Sequence, residues 1–429
     1  MNNRRPRRKQ ISRKTLIFRV GKRMSDLGVG EKILTKVPAV VSTCEAITKS
    51  SWVMGKEAEE AAPHEFVGFM MMNAKVYSLR YNIGEDLVDV KQVDFLNQLD
   101  ISEVYHCDGL VLCVPFDHSK LVVWNPYMCQ TRWIGPRLGG ENFNIRDTYA
   151  IGYNSDDKQQ RDHKILRFVE DYSAPGPGPT THVFRSEIYE ISSDSWRVLE
   201  PKPMWEIEID QHQRGVSLKG NTYFFAHEQY DNCASDFQDF LLCFDFTKEK
   251  FGPRLPLPFH SHIEDCVTLS NVRDEQLAVL FGDFESTFFE IWVTLTLEQA
   301  PDNLSWNKFL RVETTALTSL FRLDTYLGGS FFVDEENKVA VVFELDEYLS
   351  TFTPHQNKAF VFGQAGYIHS VDLAQVTYIP LLCPDSGEPF QGFVPPLVCS
   401  SSYRPSLVQV KQPLLCTKGN ATSSSMGNG

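Results

Sequence analysis

The chain has 429 residues, is 42% hydrophobic and 12% aromatic, and carries a net charge of −13. Residues 1–23 hold ten Lys/Arg and no Asp/Glu, so −13 minus 10 leaves −23 for the remainder. Such an acidic body excludes a phosphate-gripping nucleic-acid domain, and no apolar run reaches the length of a membrane-spanning helix.

The composition of residues 1–23 predicts disorder. The segment reads as an unstructured leader ahead of Met24, with a nuclear-import signal or a weak polyanion contact as the alternative. It lacks the apolar core and small-residue cleavage site of a secretory signal, so a cytoplasmic and/or nuclear setting is expected, with no membrane partner. The ten cysteines form no C-x-x-C pair. Cys107, Cys113, Cys129, Cys243 and Cys266 fall in or beside strand-like segments and are read as small buried hydrophobes rather than a disulfide framework.

Residues 24–56 are the helical candidate near the front. Ser25-Asp26 offers a cap, Leu27, Ile33, Leu34 and Val37 form an apolar stripe, and Pro38 stops the helix. A second short helix over Val40–Trp52 carries Val41, Cys44, Ile47 and Trp52. Helices this short make an interaction module, not an independent core.

From Phe66 the pattern turns to strands. Phe66–Leu79 and Leu87–Phe95 read as a hairpin pair, and Phe69-Met70-Met71-Met72 as an inner strand. Ile101–Pro136 holds four strands, Ile101–Cys107, Leu110–Val114, Leu121–Trp124 and Thr131–Ile134. Asp108-Gly109 supplies the positive φ of a tight hairpin and Asn125-Pro126 closes another strand. Asp147–Tyr153, His163–Val169 and Glu187–Leu199 follow, with Ala174–Pro179 an exposed loop. Gly215–His227, with a Lys219-Gly220-Asn221 turn, and Phe240–Phe246 then Phe251 make the next unit, then Val267–Phe284, Phe288–Leu297 and Trp306–Val312, then Gly329–Glu344 and Ala359–Asp372. Tyr403–Gln412 is a terminal strand expected to complete the first unit, and Thr417–Gly429 a mobile tail.

Aromatics recur where a strand resumes after a turn: Trp133, Trp196, Phe251 and Trp306, spaced by 63, 55 and 55 residues. That period approaches the roughly 50 residues of a kelch-type repeat. Four-stranded units that cannot bury both faces alone stack radially, so the expectation is a mainly β, kelch-like propeller of about six antiparallel blades. The short helical segment precedes it.

No nucleophile elbow, Walker loop, H-E-x-x-H helix or dinucleotide fingerprint is present, and neither catalytic residue nor cofactor is expected. His260 and His262 beside Glu264 and Asp265 read as a polar loop rather than a metal site. Asp283, Glu285 and Glu290 read as a solvated strand edge rather than a glycosidase pair. Trp124, Trp133, Trp196, Trp292 and Trp306 read mainly as blade packing.

His106–Cys113 (HCDGLVLC), Leu121–Pro126 (LVVWNP), Gln130–Ile134 (QTRWI) and Tyr403–Val410 (YRPSLVQV) resemble the signature segments of plant F-box proteins with a type 1 F-box-associated interaction domain. The order matches, and the likeness spans roughly residues 66–412. The resemblance implies a propeller that recruits a target protein, and an N-terminal F-box that binds a Skp-type adaptor and through it a cullin scaffold of a ubiquitin ligase. Met24-Ser25-Asp26-Leu27, Ile33-Leu34, Lys36-Val37-Pro38-Ala39 and Ser42-Thr43-Cys44 match the F-box pattern. By that resemblance Leu27, Ile33, Leu34, Val37 and Pro38 contact the adaptor.

The F-box part is degenerate. Gly28 replaces a proline, about two residues are missing before Ile33, and about five between Ala39 and Ser42. Two missing residues rotate the helix face by about 200°, which weakens adaptor binding. The implied organisation is a basic extension over 1–23, the F-box-like segment over 24–56, the propeller-like domain over 57–416 and a tail over 417–429. The alternative is a stand-alone interaction propeller with a non-functional F-box.

Overall fold

The computed structural model describes residues 65–82, 87–93, 96, 98–144, 147–154, 161–172, 182–199, 207–209, 214–228, 239–261, 265–283, 288–295, 304–314, 330–345, 356–364, 366–377, 379–382, 389–392, 396–398 and 403–410. The expected F-box-like helices, the basic extension and the tail lie outside these residues, as do Ala174–Pro179, His262, Glu264 and Glu285.

Every regular element among the described residues is a strand. Blade 2 is a meander of β4 (Ile101–Cys107), β5 (Leu110–Pro115), β6 (Leu121–Asn125) and β7 (Gln130–Ile134), built from residues the sequence marks as strands. Blade 3 contains β8 (Thr148–Asn154), β9 (Asp162–Tyr172), β10 (His182–Glu190) and β11 (Ser195–Leu199). In blade 4, β13 (Val216–Leu218), β14 (Asn221–Glu228), β15 (Asp239–Asp245) and β16 (Lys250–Pro256) are joined by short β12 (Ile207–Ile209) on β14. Blade 5 is β17 (Cys266–Val272), β18 (Gln276–Gly282), β19 (Phe288–Thr294) and β20 (Trp306–Glu313). Blade 6 is β21 (Ser330–Asp334), β22 (Val339–Leu345), β23 (Gln356–Gly363) and β24 (Ile368–Gln375). The hairpin of β25 (Ile379–Leu382) and β26 (Pro389–Gly392) follows it.

Blade 1 is made from both ends of the chain. Its β1 (Glu65–Met72), β2 (Lys75–Asn82) and β3 (Leu87–Gln92) are completed on the inner side by β27 (Leu397–Val398), which pairs antiparallel with β1. The segment read as one strand from Phe66 to Leu79 is therefore a hairpin, turned by Asn73-Ala74 at positive φ. Closure falls to β27 and not to Tyr403–Val410, which among the described residues pairs with no sheet and crosses blade 2 instead. The cause is local: Pro405 lacks the N–H a ladder needs, and the Asn125 side chain takes up the Ser406 and Val408 carbonyls.

Among the described residues six apolar clusters, one per junction, show that the ring is closed. Phe69, Met71, Val111, Cys113 and Trp124 join blades 1 and 2, and Leu112, Val123, Tyr149 and Ile165 join blades 2 and 3. Phe168 meets Phe224 and Phe244 between blades 3 and 4; Phe225 meets Leu277 and Val279 between blades 4 and 5. Leu280 meets Phe331 and Val342 between blades 5 and 6, and Phe332 and Val341 meet Met70 and Met72 back at blade 1. This explains the continuous apolar runs. Alternate side chains of a blade strand face two different neighbours, so neither face is solvated.

The strand polarity distinguishes two ends. One, the turn end, carries tight reversals such as Asp108-Gly109, Lys219-Gly220 and Arg273-Asp274, all at positive φ. The opposite, loop end carries the longer crossings between blades, such as residues 135–147 between β7 and β8.

Candidate functional site

The turn end of blade 2 gathers three of the segments singled out in the sequence. Asn125, fully buried where β6 ends, donates through Nδ2 to the Ser406 and Val408 carbonyls, both at 2.9 Å. Its Oδ1 accepts from Met128 N at 3.0 Å, so one side chain shapes the β6–β7 turn and grips the C-terminal segment. Gln130 adds a bond from Val410 N at 3.1 Å and one to Gln409 Oε1 at 2.9 Å. Tyr403 packs edge-on against Phe69 at 5.0 Å in the blade 1–2 junction, while Val410 is buried in the blade 2–3 junction. Tyr403–Val410 is thus a strap whose two apolar ends fill the two sides of one blade.

Gly109 is the point of closest approach. With φ at +75°, its missing Cβ makes room for the Arg404 carbonyl and Ser406. The preceding His106 accepts from Gly109 N through Nε2 at 3.3 Å; burial lowers its pKa to about 4, keeping the ring neutral. His106, Asp108-Gly109 and Asn125 in the signature segments therefore build the seat of the strap.

Charged groups from several blades converge beside this seat. Asp108 pairs with Arg161 and lies 3.0 Å from His163 Nε2, linking blade 2 to blade 3. The Arg161 guanidinium also covers the Tyr153 ring, 4.7 Å from its centroid. Asp274, in the blade 5 turn, accepts from Asn271 Nδ2 at 3.1 Å. Burial raises its pKa to about 6; Arg404 of the strap opposes this, while Asp108 and Glu275 add to it. The cluster ties the turns together and carries no nucleophile: burial and then Asp108 push the Cys107 thiol well above its usual range.

Further along the channel, Arg214 reaches from blade 4 to the Val104 carbonyl of blade 2 at 2.8 Å and the Val398 carbonyl of the closing strand at 3.4 Å. Ser330 of blade 6 accepts from Val398 N at 2.8 Å. Glu103 accepts from Tyr105 Oη; burial raises its carboxyl pKa against the pull of that hydrogen bond and of Arg214. These contacts close the ring across its centre.

Other residues weighed in the sequence find structural partners. Glu290 is held by Lys308 at 2.6 Å and Arg311 at 2.9 Å. Burial works against its ionisation, yet those hydrogen bonds keep its carboxyl below the ordinary range. Ser261, next to His260, bonds through N to Asp239 Oδ2 at 2.9 Å, and the described residues contain no group of three or more His, Cys, Asp or Glu fit to hold a metal. Trp124 is buried between blades 1 and 2, and the recurring Trp133, Trp196, Phe251 and Trp306 all sit on the outermost strands. Cys107, Cys113, Cys243 and Cys266 are buried free thiols. Cys129 differs from the expectation: it is disulfide-bonded.

Leu27, Ile33, Leu34, Val37 and Pro38 lie outside the described residues, so the structure brings none of them to a site. Arg214, Arg161 and Asp274 were missed in the sequence. A lone charged residue near a turn gives no signal that it will span a channel or meet another blade.

Residues 67–410 match the family model of the F-box associated beta propeller domain. An F-box/kelch-repeat protein of Arabidopsis thaliana is 49% identical over 415 residues, covering 90% of each chain. A second F-box/kelch-repeat protein of that plant is 44% identical over 404 residues, 89% of this chain and 94% of its own. Among solved structures, an oligogalacturonate lyase in complex with manganese is 10% identical, covers 73% of this chain and 81% of its own, and has a TM-score of 0.37, too distant to argue from. With its signature segments assembled on blade 2 and the family match running from β1 to the end of the strap, the chain belongs to the F-box associated β-propeller family.

Proposed function

We propose that this protein is a non-enzymatic substrate-recognition subunit of a Skp–cullin–F-box ubiquitin ligase, with the propeller holding a target protein. The observation that carries the reading is the 49% identity to an F-box/kelch-repeat protein over 90% of both chains, which extends beyond a shared propeller fold. The adaptor would be engaged by Leu27, Ile33, Leu34, Val37 and Pro38 through apolar burial in a helical groove. Truncating a buried anchor of this kind costs about 2 kcal/mol or more. A cytoplasmic and/or nuclear site of action follows from that ligase role.

The test is a pull-down of the full chain with a purified Skp-type adaptor, beside a relative bearing the complete F-box. Retention that Leu34→Asp and Val37→Asp abolish supports the reading. No retention, with the relative retained, favours the second reading: an interaction propeller whose F-box no longer works. The residues missing before Ile33 and between Ala39 and Ser42 motivate that alternative.

A further inference from the structure

Leu138 is 97% exposed, yet the loop that carries it, between β7 and β8 at the loop end, is held at several points. Trp196 Nε1 donates to the Gly135 carbonyl at 2.8 Å, and Gly140 N to the Arg137 carbonyl at 2.9 Å. Arg167 donates to the Glu141 carbonyl at 3.1 Å and to the Asn142 carbonyl at 2.7 Å. Phe143 then packs edge-on against Tyr149 and Trp196. None of these contacts buries Leu138, so its side chain adds little to folding while the turn beneath it is preorganised.

Val198 continues the same surface. It stands on β11 directly across from Glu187, and Glu187 Oε1 accepts from Nε of Arg137, the residue before Leu138, at 2.7 Å. Trp196 lies two residues before Val198, hence on the same face of the strand, and its bond to Gly135 ties that face to the start of the loop. Val198 is 55% exposed. Among the described residues β11 is the last strand of blade 3, so its outer edge has no strand partner.

The charges around the two side chains are matched within the surface. Arg137 pairs with Glu187 and Arg185 with Glu141, two positive groups with two negative ones. A charged group arriving here would compete with a pair already made, whereas an uncharged apolar one leaves both pairs intact. We propose that Leu138 and Val198 anchor a target protein through an uncharged apolar side chain, carried on an extended segment that lies along the edge of β11. The proposal rests on the reading of the propeller as the part that holds the target. β1 begins at Glu65 on the turn end, so the segment expected to bind the adaptor joins the propeller at the end opposite to this surface.

Selection of a phage-displayed library of random dodecapeptides on the full chain tests it, with a Leu138→Ser/Val198→Thr variant for counter-selection. Peptides kept by the parent should share an uncharged aliphatic or aromatic anchor. Leu138→Ser and Val198→Thr should each weaken a selected synthetic peptide by about tenfold or more. Leu407→Ser, at an exposed position of the strap on the turn end, should leave its affinity unchanged. Thermal unfolding shows that the propeller is intact in each variant. Failure of any peptide to distinguish parent from double variant overturns the proposal, and so does a charged anchor. A parent that dimerises in sedimentation while the double variant does not overturns it in favour of a contact between two copies. The adaptor pull-down reports on residues 24–56 and the selection on blade 3, so either can fail without the other.

Discussion

Asn125 Nδ2 donates to the Ser406 carbonyl at 2.9 Å, joining residues 281 positions apart in the chain. Asn125 is fully buried and also holds Val408 O and Met128 N, so Asn125→Ala orphans two carbonyls and one amide. Each unsatisfied buried group costs about 1–3 kcal/mol, partly recovered if the strap lifts into water. Chemical denaturation should show a loss of about 2–3 kcal/mol. Asn125→Asp should lose nearly as much, because a carboxylate cannot donate.

Two glycines at positive φ separate backbone strain from crowding. Gly109→Ala places a Cβ 2.7 Å from Ser406 Cβ and against the Arg404 carbonyl, whereas Gly139 faces open space at φ +71°. Gly139→Ala should therefore cost only the left-handed penalty of about 1–2 kcal/mol. Gly109→Ala should cost a further 1–3 kcal/mol or so from overpacking and increase proteolysis near residue 404. Equal losses in thermal unfolding would contradict the seating of the strap.

Asp274 gives the stability a pH signature. Its folded pKa is raised to about 6 from 3.8, by burial first, with Arg404 opposing and Asp108 and Glu275 reinforcing. Between those values the folded state binds more protons than the unfolded state, so this group's contribution falls as pH rises from about 4 to 6 and then stays flat. Asp274→Asn keeps an acceptor for Asn271 and a residue type that tolerates positive φ. It should stabilise the protein by roughly 1–3 kcal/mol at pH 7.5 and by little at pH 4. No gain at pH 7.5 would show that Arg404 compensates the carboxylate fully.

Two tryptophans form equivalent links between outer strands. Trp196 Nε1 donates to the Gly135 carbonyl at 2.8 Å and Trp306 Nε1 to the Pro256 carbonyl at 2.9 Å, each reaching the preceding blade. Trp196 also packs on Tyr189 and Phe143, at 5.2 and 5.9 Å. Trp196→Phe should cost about 1 kcal/mol, the net worth of one hydrogen bond, and Trp306→Phe less, because its bond is exposed to water. The two losses should add in a double variant, since distant sites act independently.

Much of the repeat was legible because its signals are local. The aromatic recurrence at Trp133, Trp196, Phe251 and Trp306 does mark the outermost strand of successive blades, and Asp108-Gly109 and Lys219-Gly220 do turn hairpins. Arg273-Asp274 and Asn73-Ala74 make the same kind of reversal without glycine, so Val267–Phe284 and Phe66–Leu79 each read as one strand where two exist. Their positive φ values are imposed by the pairing of the strands on either side, which local propensity does not register.

The sequence by itself determined most of the blade strands, the repeat and the signature segments on blade 2. Alternation, turn chemistry and aromatic spacing act over a few residues and survive in any window of the chain. Only the tertiary structure decided which segment closes the ring, that Arg214 crosses the channel, and that Tyr403–Val410 is a strap rather than a strand. These are contacts between residues from about 110 to more than 280 positions apart. They exist because six stacked blades bring their turns around one axis, and no local pattern encodes that meeting.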